Sequence, residues 1–370
     1  VRRSPELSKQ CWIKTTSAAD AATGETVEIE QSENTIIPMP ELQFTEQVGV
    51  RQSLSDLIAV TDAKSTPVAS MMKKGEEPIA AVFSWQADAY KDPQFDGVLS
   101  NQDAENFDNP ASERELLEGR VQKFWRLAKV DDFSENVNTV AGVKKEMARA
   151  VTKDLEHIKR DIESAICSDH DSRKQAGSQP NLLRGMGSWI QTGAQTDLPV
   201  PESQRPGADQ VLTTAVASMT DVDIQDFIQA MYLKSGKAIN FMLVCGPTLK
   251  RVFTGFTQTQ FGSTNTSASI RTFQQNATDK KICQTVDIFE GDCGTLELML
   301  SLFLAKDQSD AVSLRRGYAF DPSMIEMAYK RRARFTTLEN KGGGPRGITD
   351  AIVGWKNHSP LGMGKIAPSA

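Results

Sequence analysis

The sequence predicts an α+β fold, on three observations. Apolar residues across 140–166 recur at the three-and-four spacing of one helix face. A strand at 241–245 runs through Gly246 and Pro247 directly into a helix. The remaining apolar runs are short, rich in β-branched and aromatic residues, and separated by turn residues. With 370 residues, 39% of them apolar, the chain can bury one large core or two modest ones.

In chain order, residues 1–48 are polar and poorly periodic, with the turn-rich Ile37-Pro38-Met39-Pro40 near their end. This segment reads as an arm that buries too little apolar surface to order by itself. A short apolar helix is expected at 54–60, and another at 67–72 with Pro67 at its first position. Strands follow at 79–87 and 121–130. The acidic stretch between them, with Pro93, Gly97 and Pro110, is far longer than a tight turn, so the two strands are expected to pair as a projecting hairpin.

The long helix carries Val140, Val143, Met147, Ala150, Val151, Leu155, Ile158, Ile162 and Ile166 on one face. Its other positions are charged, with Glu156 and Arg160 an i,i+4 pair. Residues 172–207 are rich in Gly, Pro, Gln and Ser around Met186-Gly187-Ser188-Trp189-Ile190, and read as a crossing between sub-domains. Thr220 or Asp221 is placed to cap a helix that Gly236 closes. Strands at 282–289 and 295–304 should form a hairpin around 290–294, and 324–338 with 348–355 a last hairpin that ends the fold.

Composition narrows the function. With 42 Lys and Arg against 48 Asp and Glu, the net charge of −6 is not that of a nucleic-acid binder. No apolar run approaches the ~20 residues a membrane-spanning helix needs, and the first residues lack a secretory signal. Five widely spaced cysteines, Cys11, Cys167, Cys245, Cys283 and Cys293, read as reduced thiols and not as a disulfide framework.

Signs of catalysis are sparse. Three scattered histidines, His157, His170 and His358, leave little of the commonest general base, and phosphate-loop, nucleophile-elbow and dinucleotide signatures are missing. Asp169-His170-Asp171 reads as a solvated helix end before a metal site, and 341–346 as a flexible hairpin tip before a phosphate cradle. Cys283 and Cys293 flank the expected hairpin, without a second pair to complete a metal site. A hydrolase would have to draw on Cys245 and Asp292 in the α/β unit. Lys330, Arg332 and Arg334, on one face of a strand, read as an intersubunit salt-bridge surface, with DNA contact as the other reading.

The order of arm, acidic hairpin, long helix, α/β unit and closing hairpin resembles the major capsid proteins of tailed bacteriophages, with the Hong Kong 97-type fold. The residues that carry the likeness are Asp56-Leu57-Ile58, Thr66-Pro67-Val68-Ala69-Ser70-Met71-Met72, Phe83-Ser84-Trp85-Gln86-Ala87-Asp88, Lys159-Arg160-Asp161-Ile162-Glu163, Gly185-Met186-Gly187-Ser188-Trp189-Ile190 and Val244-Cys245-Gly246-Pro247. The resemblance implies an N-terminal arm (1–66), an extended loop hairpin and its base (67–135), a peripheral-domain spine helix (136–184), an axial domain (185–310) and peripheral-domain strands (311–370). It also implies a structural protein without catalytic residues, metal or cofactor, forming hexamers and pentamers of an icosahedral head around double-stranded DNA. Scaffolding, portal and decoration proteins would be partners, DNA contact weak, and assembly located in the host bacterial cytoplasm. A decoration or other virion structural protein is the alternative. The subunit interface is expected to draw on Trp85, Asp88, Lys91, Trp125, Lys330, Arg332 and Arg334. An isopeptide between Lys91 and Asn357, of the kind some relatives form, is not expected.

Overall fold

In a computed structural model of the chain, the described residues are 66–136, 145–237, 240–256, 286–304 and 314–368, less ten positions between 92 and 112. For 258–283 only backbone strands are described. All belong to the second of the chain's two units, Leu57–Ala370. The expected arm at 1–48, the helix at 54–60, and Val140 and Val143 of the long helix lie outside the described residues.

A small helix, α1 (Pro67–Met71), starts on Pro67, whose fixed φ suits a first helical position. It leads through β1 (Lys73–Lys74) into the hairpin of β2 (Val82–Ala87) and β3 (Glu115–Arg120), paired from Val82↔Arg120 to Ala87↔Glu115. The expected second strand of this hairpin was 121–130. That segment instead forms β4 (Gln122–Lys129), which pairs with another sheet. Gly119 explains the substitution: a Cβ there would sit 2.8 Å from the Phe83 ring, so only glycine lets β3 lie under Phe83 and Trp85.

After α2 (Asp132–Asn136) comes α3 (Glu146–Ile166), the long helix. Ile158, Ile162 and Ile166 are fully buried on it, while Met147, Ala150, Val151 and Leu155 are only half-buried. Glu156 pairs with Lys159 at 3.0 Å, and Arg160 lies over the Phe303 ring. The short α4 (Met186–Trp189) is buried along its length. A Cβ on Gly185 would lie 2.1 Å from the Ser168 carbonyl oxygen, and one on Gly187 would lie 1.5 Å from Asp169 Oδ1. The two glycines let α4 press against the end of α3.

The largest sheet has six strands, ordered β11 (Ile288–Gly291), β12 (Gly294–Leu300), β6 (Asn240–Cys245), β13 (Gly317–Phe320), β16 (Gly364–Ile366) and β5 (Val211–Leu212). α5 (Asp221–Ser235) is capped by Thr220, whose Oγ accepts from Asp223 N–H while the Asp223 carboxylate accepts from Thr220 N–H. Gly236, at φ 67°, closes it. α6 (Pro247–Gly255) follows β6 as expected. Strand β6 is buried on both faces. Phe241, Leu243 and Cys245 join the core under α5 and α6, while Met242 and Val244 join the core that holds α3 and α4. The two cores thus share one wall.

The expected hairpin at 282–304 is divided. β11 and β12 pair across Asp292 and Cys293, whereas β10 (Lys281–Cys283) pairs with β9 (Gln274–Asn276), beside a separate pair of β7 (Gln258–Ser263) and β8 (Thr266–Arg271). The final hairpin, β14 (Ile325–Leu338) with β15 (Arg346–Asn357), is flanked by β1 and β4 in a four-stranded sheet. It does not end the fold, since β16 follows and enters the six-stranded sheet. With β13, it carries that sheet across the expected boundary at 310/311. Among the described residues, no helix is long and apolar enough to cross a membrane.

Candidate subunit interface

The projecting loop begins where β2 ends. Asp88 forms an exposed ion pair with Arg114 at 3.7 Å, closing the loop's base, and Lys91 is exposed just beyond it. The stretch 88–114 carries seven acidic residues against two basic ones. Its large apolar side chains face solvent: Tyr90, Phe95, Val98, Leu99 and Phe107 are each at least 72% exposed. Rings in water on an acidic loop have no reason to be there unless something covers them.

Trp85 departs from its expected place at the interface. It is buried in the subunit core, stacked on Phe83 and packed on Trp189, and its Nε1–H donates to the Asn357 carbonyl oxygen at 3.0 Å. An indole needs a partner for its single donor when buried, and this one ties the loop's base to the end of β15. Asn357 is itself fully buried, so its side chain is not presented for a cross-link to Lys91.

Trp125 stands on the outer face of the four-stranded sheet, 56% exposed. Alternate residues of β4 divide cleanly: Phe124 and Ala128 enter the core and Arg126 forms a bidentate pair with Asp161 of α3, while Lys123, Trp125 and Leu127 point away. Opposite Trp125 in β15 lies Asp350, nearly buried, approached by Lys123 at 3.6 Å, by Arg334 at 3.8 Å and by Arg331 in a close contact.

The basic run does not present one face. Register shifts in β14 between Tyr329 and Arg331 and between Arg331 and Arg334 break the alternation. As a result Arg331 and Arg334 converge on Asp350, Lys330 reaches Glu77 at 3.7 Å, and Arg332 lies over the Tyr329 ring. Period-two reasoning cannot see a bulge.

Other polar groups fasten the elements to one another, and sequence reasoning missed them. Glu163, fully buried on α3, accepts from Val68 N–H at 2.9 Å and Ala69 N–H at 2.7 Å, fixing the first turn of α1 to the long helix. Burial pushes its carboxyl up although both donors oppose the shift. Asp169 and Asp171 form neither a metal site nor a solvated end. Asp169 takes Lys365 at 2.7 Å, Arg316 at 2.8 Å and the Tyr318 hydroxyl at 2.9 Å, joining α3's end to β13 and β16. Asp171 accepts from Arg184, Ser188 and the Thr196 N–H. Arg120 of β3 makes a bidentate pair with Asp197, fixing the loop's base to the crossing segment.

Burial alone would raise the Asp169 carboxyl, but Lys365, Arg316 and Tyr318 outweigh it and hold it below the usual carboxylate range. A depressed folded-state value contributes stability above the unfolded value, and that contribution is lost as pH falls through the folded one. The melting temperature of Asp169→Asn should therefore lie below that of the parent at pH 7, with the gap narrowing as pH falls beneath the ordinary carboxylate range. A gap independent of pH would refute this role.

The α/β unit offers little to a hydrolase. Cys245 is fully buried with its thiol pushed up to about 12 by desolvation, the opposite of an activated nucleophile. Asp292, in the exposed β11–β12 turn, lies at the far end of the β6–β12 pairing from Cys245. Cys167, Cys245 and Cys293 are free thiols; Cys11 and the side chain of Cys283 lie outside the described residues.

Among solved structures the chain is similar to one from Mycobacterium phage Bobi, at 8% identity over 89% of this chain and 99% of that one, with a TM-score of 0.55. It is similar also to the capsid of a native GTA particle (9% identity, 87% and 96%, TM-score 0.55) and to a structure from Gordonia phage Cozz (12% identity, 87% and 92%, TM-score 0.53). At such identities the likeness is one of fold, and the fold is the Hong Kong 97-type capsid fold. No curated protein matches the sequence. The family described as SU10 major capsid protein matches residues 31–369, nearly the whole chain. The family match over nearly the whole chain, on this fold, identifies the chain as a member of the SU10 major capsid protein family, the major capsid proteins of tailed-phage heads.

Proposed function

We propose that the chain assembles as hexamers and pentamers of an icosahedral phage head enclosing double-stranded DNA. One observation carries the reading: Tyr90, Phe95 and Phe107 stand in solvent on an acidic loop that the described residues leave uncovered. A shell built from many modest contacts needs such projecting segments, each covered by a neighbour. In this proposal Asp88 and Lys91 at the loop's start, Trp125, and the basic groups Lys330, Arg332 and Arg334 lie at subunit contacts, with Trp85 holding the loop's base from inside. The expected division into arm (1–66), extended loop (67–135), spine helix (136–184), axial domain (185–310) and peripheral strands (311–370) is proposed with it, with β13 and β16 of the last segment completing the axial domain's six-stranded sheet.

The acidic balance suits a container whose packed DNA must not adhere. DNA is accordingly a weakly contacted cargo, and scaffolding, portal and decoration proteins are the further partners. Assembly is placed in the host bacterial cytoplasm, and the subunit works without catalytic residues, metal or cofactor. Electron microscopy and sedimentation of the purified chain should show capsomers or closed shells. Monomers alone, at every protein concentration and salt condition tried, would overturn the proposal.

A further inference from the structure

We propose that Asp96-Gly97 is a spontaneous isoaspartate site, and that subunits left unassembled lose competence for assembly as it converts. The second half rests on the shell reading above; the first does not. Asp96 alone among the chain's aspartates precedes a glycine, and the sequence has no Asn-Gly. Isoaspartate forms when the next residue's backbone nitrogen reaches the side-chain carboxyl carbon, and a glycine, without a Cβ, obstructs that approach least.

The structure leaves this pair free to react. Both residues are exposed in the projecting loop, and a Cβ on Gly97 would meet nothing within 4 Å. Neither the Asp96 carboxylate nor the Gly97 N–H has a hydrogen-bond partner among the described residues. Other aspartates before small residues are held. Asp88 accepts from Ala89 N–H at 3.0 Å and pairs with Arg114. Asp171, before Ser172, is fixed by Arg184, Ser188 and the Thr196 N–H.

The chemistry needs only water. The Gly97 nitrogen bonds to Asp96 Cγ, and a carboxyl oxygen leaves as water with the nitrogen's proton and the carboxyl's own. Water then opens the resulting cyclic imide. Opening at Cγ restores aspartate; opening at the former peptide carbonyl leaves the main chain running through Cβ and Cγ, with the α-carboxylate as the side group. The water lost is regained, so mass and charge are unchanged. The main chain gains one methylene between Phe95 and Val98, both exposed, which alters the spacing of the loop's apolar side chains.

The full chain, held at neutral pH and sampled over days, tests both halves. A peptide with isoaspartate keeps its mass, elutes apart from the parent peptide and accepts a labelled methyl group from an isoaspartyl methyltransferase. Isoaspartate should accumulate at Asp96 severalfold faster than at any other aspartate. Gly97→Ala should slow it severalfold and Asp96→Glu should abolish it; both should fold, since these positions lie outside both cores. In sedimentation, the aged parent should lose assembled material in proportion to its isoaspartate, while Gly97→Ala aged equally long should keep it. A parent without isoaspartate at Asp96, or with it spread evenly over the aspartates, overturns the site. Aged parent that assembles like fresh, or equal losses in parent and Gly97→Ala, overturns the loss of competence. A fresh parent that forms no assemblies overturns the shell reading and that loss with it, while the peptide measurements on the free chain still decide the site.

Discussion

Replacing Ile158 with aspartate is expected to leave no folded subunit. Ile158 is 1% exposed on the inner face of α3, in the core that also holds Trp85, Trp189 and Trp355. A carboxylate there either stays charged without a partner or takes up a proton at neutral pH, and either course costs several kcal/mol. To this is added the lost burial of the isoleucine side chain, about 1.5–3 kcal/mol. Against a typical total stability of about 5–15 kcal/mol, the sum removes most of the margin. Ile158→Val, which only trims a methylene, should cost about 0.5–1.5 kcal/mol and still fold. Circular dichroism melting curves of the two variants check this. A cooperative transition of Ile158→Asp at the parent's temperature would show that this face is not buried.

The second large effect is expected from Arg184→Met. The Arg184 side chain is 2% exposed and stacks 4.8 Å over the Trp189 ring. Its Nε–H donates to Asp171, and Nη2 donates to the carbonyl oxygens of Asp197 and Leu198 at 2.5 and 2.6 Å. Leu198 is held at φ 49°, a left-handed backbone that a non-glycine residue adopts only when its surroundings impose it. Burial lowers the guanidinium's pKa, although Asp171 and Asp197 pull the other way, so the group remains only because its partners hold it. Removing it takes the donor from two carbonyls and the cationic partner from Asp171, which keeps only its bonds from Ser188 and Thr196, a loss of about 3–5 kcal/mol. Arg184→Lys keeps the charge but not the planar fork, and should recover only part of the loss. Denaturant midpoints of the three proteins measure the difference; equal midpoints for parent and Arg184→Met would refute the role.

What was legible in the sequence was whatever depends on local period. The long helix, the β6–α6 unit, the Thr220 and Gly236 caps of α5 and the closing hairpin all announce themselves within a dozen residues. Pairing partners do not. β3 reads Glu-Leu-Leu-Glu-Gly-Arg, with no β-branched residue, and becomes a strand because Phe83 and Trp85 need a flat glycine-bearing partner. The three residues of β16 are too few to show a period at all. At the candidate interface, the acidity of the loop is read directly from its residues. Trp85 was misplaced, because a tryptophan next to an acidic loop looks the same in sequence whether its ring turns inward or outward. The bulges that send Arg331 and Arg334 to Asp350 leave no trace in residue spacing.

The placing of β16 between β13 and β5 bears on the order of folding. Gln210, next to β5, is fully buried and donates to the Leu361 and Met363 carbonyl oxygens, 151 and 153 residues away. Closing so long a loop is entropically slow, and contacts of this range make late folding events. Until Gly364–Ile366 arrives, β13 and β5 are raw edges with unpaired backbone groups, open to strands of other chains. Refolding at high concentration should therefore lose more material to aggregates than unfolding does, and the window of vulnerability closes only when three late residues slot into the middle of the sheet.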